Sequence, residues 1–183
     1  MTSYVARPVT EADALMLQAW RNDPETLRWA RHQETVSWDH HRRWLRAALC
    51  DDRRLYRVVV HEQTPVASVR YDRFDGGDHT VEVSILVAAE FRGRGVGSVA
   101  LELGERDLRT TWPDVRGIVA VVHAGNVASR HLFERDGYRF QREDQPWVTL
   151  SKTIDSARLE ASSPVSAELP GTRTEGNSAS ELV

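Results

Sequence analysis

The stretch Arg92-Gly93-Arg94-Gly95-Val96-Gly97 has the residue types to hold a charged ligand. Its glycines let the backbone turn tightly and bring free N–H groups against a ligand. A helix follows directly, since Val96, Val99, Ala100 and Leu103 repeat at helical spacing. A helix start adds about half a positive charge, so a pyrophosphate suits this turn. Other phosphate loops fit poorly. Counting G-x-G-x-x-G from Gly93 ends on Ser98, and from Gly95 on Ala100, which only the relaxed fingerprint admits; no acidic residue follows about twenty positions on in a second strand. The G-K-[ST] of a nucleotide-triphosphate loop is absent.

Upstream, Val81, Val83, Ile85 and Val87 alternate with Glu82, Ser84 and Leu86, the period of a strand. Glu82 and Ser84 share one face. Few carboxylates are tolerated on a central sheet without a role or a partner, so Glu82 is either a chemical group or the ion-pair partner of an arginine. Downstream, Asn126 either caps a helix beginning at Val127 or reaches a ligand, and Ser129 on the next turn has the same two readings. Cys50 ends an amphipathic helix and reads as a packed small residue. His40 and His41 face apart on that helix and no metal-ligand spacing occurs elsewhere, so no metal is expected.

The elements that must position these groups are legible as patterns. Thr10 and Asp13 read as a capped start to a helix with Ala12, Leu15, Met16 and Ala19 on its buried face. Asp23-Pro24 opens a short second segment carrying Leu27 and Trp29. Ser37 caps a third, with His41, Trp44, Leu45 and Ala48 as its stripe. Val58–Val60 and Val66–Tyr71 read as strands joined by a turn around Gln63-Thr64-Pro65, and Gly76-Gly77 marks a second turn. Gly117–His123 is a near-continuous apolar run, as in a strand covered on both faces. Asn126–Asp136 forms a helix that Gly137 can cap, and Tyr138–Gln141 and Trp147–Leu150 begin the last strands. Leading helices, strands, then strand–helix–strand–helix–strands predict an α/β fold with helices on both faces of a mixed sheet.

Composition bounds the reading. At 183 residues with 40% apolar and 28% charged, the chain suits one globular domain. Residues 156–183 contain no aromatic residue and six serines, which predicts a disordered tail after a domain of residues 1–155. No apolar run has membrane-spanning length and the N-terminus lacks a secretory h-region, so a cytoplasmic protein is expected. The single cysteine excludes an internal disulfide. A net charge of -3 argues against a nucleic-acid partner. Basic residues are 23 Arg against one Lys, Lys152.

Arg92, Gly95 and Gly97 match the [RQ]-x-x-G-x-[GA] motif of the GNAT acetyltransferases, and Asn126, Ser129, Phe133, Gly137 and Tyr138 resemble that family's second motif. The resemblance covers roughly residues 3–150. The resemblance implies the GNAT fold, a mostly antiparallel sheet of six to seven strands, and acetyl-CoA as cosubstrate. It implies that main-chain amides from Arg92, Gly93, Arg94, Gly95, Val96, Gly97 and Ser98 hold the CoA pyrophosphate. The strand ending near Leu86 and Val87 would pair with the pantetheine arm, with Asn126, Ser129 and Phe133 beside it. Backbone N–H groups at that splay would polarise the acetyl carbonyl. Glu82 becomes the candidate base for the acceptor ammonium. Phe133 stands where the family usually has a tyrosine that protonates the departing thiolate, leaving Tyr138 as the candidate acid, or a thiolate that departs unaided.

Trp20-Arg21-Asn22-Asp23-Pro24-Glu25 and Ser37 to Trp44 are similar to W-R-N-x-P-E and I-S-x-x-E-H-x-x-W segments of acetyltransferases acting on nucleotide-linked amino sugars, as in pseudaminic acid pathways; Val69-Arg70-Tyr71-Asp72 fits the same branch. The resemblance implies a small-molecule amine substrate, with Trp20, Arg21, Asn22, His41 and Arg70 as its contacts and Arg28 and Arg73 as further diphosphate ligands. A homodimer is compatible. Acetylation of a protein N-terminus or an antibiotic amine, and a catalytically silent CoA-binding module, are the alternatives.

Overall fold

A computed structural model describes residues 4–74 and 79–154. The first element is a strand the sequence reading missed: β1, Tyr4–Pro8, is only five residues and its apolar positions do not alternate cleanly. It lies at the sheet edge, where Pro8 is tolerated because no further strand needs its missing N–H. Arg7 grips both carboxylate oxygens of Asp13 at 2.7 and 2.8 Å. Asp13 also accepts from the Thr10 N–H at 2.8 Å, completing the expected capping box.

The turn Glu11–Asp13 is 3-10, and α1 proper spans Ala14–Arg21. That tighter turn shifts the phase of the buried face. Ala14 and Leu17 are buried, with Met16 and Trp20 packed beside them, whereas Leu15 of the expected stripe is 68% exposed. Two apolar stripes fit this segment at helical spacing, and the one carrying the larger Leu17 and Trp20 won. α2, Pro24–Arg28, starts as expected, with Asp23 accepting from the Thr26 N–H at 3.1 Å. In α3, Trp38–Leu49, the Ser37 hydroxyl caps at 3.4 Å, and His41, Leu45 and Ala48 are buried.

β2, Arg54–His61, and β3, Thr64–Arg73, form a hairpin. Its turn residues are Glu62 and Gln63, both at positive φ (48° and 69°), a primed turn that matches strand twist. Pro65, expected in the turn, lies in β3 opposite Val60 beside a register shift. The Gly76-Gly77 turn falls outside the described residues, as does the expected tail from 156. There follow β4, Thr80–Val87; α4, Val96–Thr111; β5, Gly117–His123; α5, Val127–Arg135; β6, Arg139–Asp144; and β7, Trp147–Thr153.

Among the described residues seven strands are ordered β1-β2-β3-β4-β5-β7-β6, with β4–β5 parallel and the other pairs antiparallel. One face, with Val69, Tyr71, Val81, Val83, Ile118, Ala120, Val122 and Leu150, packs on Leu101 and Leu108 of α4 and Phe133 of α5. Tyr56 and Val58 on the opposite face pack under α1 and α3. β5 corrects the expectation of a strand covered on both sides: Ile118, Ala120 and Val122 are buried, while Val119, Val121 and His123 are half-buried. Their side of β5 borders a cleft. No helix among the described residues is long and apolar enough to cross a membrane.

Candidate functional site

The cleft begins where the parallel ladder stops. β4 and β5 pair at Thr80–Gly117, Val81–Ile118 and Glu82–Val119 and at no later residue, so they part like the arms of a V. Glu82 stands at the fork. The Ala88 N–H bonds the Val66 carbonyl at 3.0 Å. With the β3–β4 register, strand alternation then commits the amides of Ser84 and Leu86 to β3 and turns those of Ile85 and Val87, beyond the last pair with β5, toward the open side. Leu86 and Val87 both line the cleft, but Val87 offers the free amide.

At the mouth of the V, Gly93 and Gly95 have φ of 72° and 79°, and a Cβ on either would meet nothing within 4 Å. Backbone conformation therefore demands glycine there, and the space beside it is open. Gly95 is the residue before α4, whose first amides have no intrahelical acceptor. The Ser98 N–H differs, bonding the Gly95 carbonyl at 3.1 Å. Gly97 is required for another reason: a Cβ would come 2.9 Å from Leu132 of α5, so Gly97 lets two helices touch.

The two arginines of this loop separate. Arg92 donates to the Val87 carbonyl at 3.2 Å and the Thr26 hydroxyl at 3.1 Å, and lies 2.7 Å from Asp23. It ties the loop to α2. Burial opposes the Asp23 charge, but hydrogen bonds from Arg92 and Thr26 hold its carboxyl below the usual range. Arg94 does not line the cleft; its guanidinium lies 6.0 Å from the Phe91 ring. Asn126 and Ser129 do line it, and the Asn126 Oδ1 accepts from the Ser129 N–H at 3.0 Å. The cap uses the oxygen and leaves the Asn126 NH2 as a donor.

Phe133 borders the cleft, packed edge-on to Tyr138 at 5.0 Å. Tyr138 itself corrects the expectation of an acid. It is 1% exposed, lies outside the cleft lining, and its hydroxyl is buried without a partner. Burial, then the charge neighbourhood of Tyr71, Glu105 and Asp136, pushes that hydroxyl far above the usual tyrosine range. A group so placed cannot hand a proton to the cleft.

The other end of the cleft, about 720 Å³ in all, is built from side chains. Glu82, a quarter exposed, has Oε1 3.2 Å from Arg31 Nη2. The Arg31 guanidinium also lies 5.8 Å from the Trp147 ring. Trp147 meets His123 edge-on at 5.4 Å, and His123 lies 5.3 Å from Trp29. The Gly125 N–H donates to His123 Nδ1 at 3.1 Å, which leaves Nε2 to carry the proton of the neutral ring. Arg70 is held by Asp72 at 2.7 Å and lies over Trp44 at 5.3 Å and Tyr56 at 5.9 Å.

Of the expected acceptor contacts, Arg21 and Arg70 reach the cleft, and Trp20, Asn22 and His41 do not. Arg21 Nη2 donates to the His32 carbonyl at 2.7 Å, while its Nη1 is buried without a partner. Asn22 clamps Val36 from both sides, accepting its N–H at 2.8 Å and donating to its carbonyl at 2.9 Å. Trp20 packs in the α1–α3 core. His41 is 4% exposed, and burial first, helped by the Arg21 charge, lowers its pKa, so it is a neutral core imidazole. Arg28 stacks on Trp29 at 4.7 Å, and Arg73 forks onto Asp114 at 2.7 and 3.0 Å; neither lines the cleft. Sequence reading missed Trp29, Arg31, Tyr56, His123 and Trp147. His123 alone carried a signal, lying in phase with Val119 and Val121 along β5.

Residues 5–139 match the family described as an acetyltransferase (GNAT) domain. Among solved structures, a domain from Methanocaldococcus jannaschii superposes with a TM-score of 0.73 at 19% identity, over 84% of this chain and 100% of that one. Aminoglycoside acetyltransferase AAC(6')-Ib in complex with ribostamycin and coenzyme A gives 0.71 at 19%, over 90% and 99%. A ribosomal-protein-alanine N-acetyltransferase from Brucella melitensis gives 0.69 at 23%, over 82% and 99%. At these identities the superpositions establish a shared fold.

Proposed function

This chain belongs to the GNAT acetyltransferase family, and on that premise we propose that it transfers the acetyl group of acetyl-CoA to a primary amine of a small molecule, a nucleotide-linked amino sugar, by direct attack in a ternary complex. The observation that carries the reading is Glu82 at the fork of β4 and β5, where an acceptor amine and an acyl group lying along β4 would meet. The site fits CoA: open space beside Gly93 and Gly95 at a helix start suits a pyrophosphate. The amides of Gly93 to Gly97 would hold it, the open edge of β4 would pair with pantetheine, and the Asn126 NH2 and Ser129 hydroxyl would flank it. Acetyl-CoA supplies the activated acyl carbon. Glu82 accepts the ammonium proton, and the Val87 N–H faces the side on which the carbonyl oxygen gains charge. With Phe133 and Tyr138 unable to act as acids, the thiolate departs unprotonated.

The similarity of the Trp20–Glu25 and Ser37–Trp44 segments supports the amino-sugar class, as do Arg21 and Arg70 on the lining. A polycationic antibiotic or a peptide N-terminus is the rival, and the guanidiniums of Arg21, Arg31 and Arg70 oppose a polycation. CoA release should be measured against a nucleotide-linked amino sugar, the free sugar, an aminoglycoside and an Ala-peptide. The linked sugar should react fastest, because its diphosphate contributes binding energy from outside the reacting bond. Faster reaction of the aminoglycoside or peptide would overturn the substrate class, and turnover of no amine would favour a silent CoA-binding module.

A further inference from the structure

Residues 29–36, between α2 and α3, run past the acceptor end of the cleft, and the segment is fastened from α1. Gln18 donates to the Val36 carbonyl at 2.8 Å, Asn22 clamps Val36, and Arg21 holds the His32 carbonyl. The Gln33 side chain closes back on the Arg28 carbonyl at 3.1 Å. So two of the residues that sequence reading placed on the substrate, Arg21 and Asn22, bond this strap. From it Arg31 reaches Glu82 on β4 and the face of Trp147 on β7. The carboxylate that an acceptor ammonium needs is therefore paired with a cation of the chain itself.

That contact has a chemical consequence. An ammonium that approaches Glu82 competes with the guanidinium for the carboxylate, and the Arg31 side chain, 55% exposed, then exchanges that partner for water unless the ligand brings an anion. The neighbouring carboxylates are engaged: Asp72 between Arg54 and Arg70, and Glu25 with the Trp29 indole at 2.7 Å. Arg21 Nη1, buried and unpartnered in the same lining, adds a second donor without an acceptor.

We propose that Arg31 sets which amines are accepted: the acceptor's ammonium replaces the Arg31 guanidinium on Glu82, and the freed guanidinium pairs with an anionic group that the same acceptor carries beside its amine. This rests on the acetyltransferase reading and narrows its substrate to amines with an adjacent phosphate or carboxylate. A simple monoamine breaks the Arg31–Glu82 pair and offers nothing in return; an amine with an adjacent anion exchanges one ion pair for two.

The test is CoA release by wild type, Arg31→Ala and Arg31→Lys, each with glucosamine 1-phosphate and with glucosamine. Wild type should prefer the phosphate by about 10-fold or more in kcat/KM, the scale of one charge-assisted contact. Arg31→Ala should lose that preference through KM of the phosphate, with glucosamine improved, and Arg31→Lys should restore part of it. Equal losses on both amines, or a wild type that favours glucosamine, would overturn the proposal. Release from neither amine would count against the acetyltransferase reading, and NMR then decides the inference separately. The Arg31 guanidinium resonance, assigned by its absence in Arg31→Ala, should move in Glu82→Gln and on adding glucosamine 1-phosphate. A resonance indifferent to both overturns the proposal.

Discussion

At one end the groups that face the cleft are main-chain amides from one stretch of chain, Ile85 to Gly97. At the other they are side chains from α1, the 29–36 strap, β3, β4, β5 and β7, gathered from Arg21 to Trp147. The first end is specified by what a backbone can do: positive φ at two glycines, an open strand edge, a helix start. The second is specified by which side chains pack together. A site made of amides survives most substitutions except at its glycines, whereas a site made of side chains can be retuned residue by residue. One fold can thus keep a common cosubstrate and change its acceptor.

The amide end should break most completely. Gly95→Asp places a side chain at a φ of 79° and a negative charge where phosphate would lie. Strain and like-charge repulsion together should weaken CoA binding by about 100-fold or more by calorimetry. Gly95→Ala keeps the strain alone and should cost about 10-fold. Gly97→Asp should differ in kind, lowering the thermal midpoint, since its Cβ meets Leu132. Unchanged CoA affinity in Gly95→Asp would remove the contrast between the two ends.

Where the ends meet, Glu82→Gln should lower kcat near neutral pH by about 100-fold, the usual scale of general-base catalysis, with CoA affinity nearly unchanged. The loss should shrink at high pH, where the amine arrives already deprotonated. A kcat within a factor of about two of wild type would make Glu82 only the anchor of Arg31. Smaller again, Asn22→Ala removes two hydrogen bonds that hold Val36, about 1 kcal/mol each, and should raise the acceptor KM by about 10-fold while CoA affinity stays. A loss of CoA affinity instead would mean that the strap serves both ends.

Sequence reading was good where cause is local. Ser37, Asp23 and Asn126 cap as expected because a cap needs only a side chain and an amide three residues on. The glycine loop was legible for the same reason. The α1 face was misjudged because a 3-10 turn altered its phase, and β1 was missed because an edge strand of five residues owes its existence to β2 rather than to its own pattern. Arg31 is one of 23 arginines, and nothing near it in sequence reveals Glu82, 51 residues away, or Trp147. Asn22 and His41 were attributed to substrate because similar segments carry them; here one fastens the strap and the other fills the core.

The smallest effect concerns a hydroxyl with a plausible position in sequence and a useless one in space. Tyr138 follows the helix that carries Phe133, so it looks able to replace a missing acid. Instead its ring fills the core beside Phe133, and its hydroxyl lies near Glu105 and Asp136, the carboxylates that hold Lys152 at 2.6 and 3.0 Å. Burial keeps that hydroxyl protonated throughout any assay range, and it has no acceptor. Removing a buried, unpartnered polar atom while keeping the ring costs no hydrogen bond and relieves a desolvation penalty. Tyr138→Phe should therefore leave kcat and the basic limb of the pH–rate profile unchanged and stabilise the fold by about 1 kcal/mol, read as a higher thermal midpoint. A kcat reduced about 10-fold or more, with a shifted basic limb, would return Tyr138 to the chemistry and require its ring to swing out of the core.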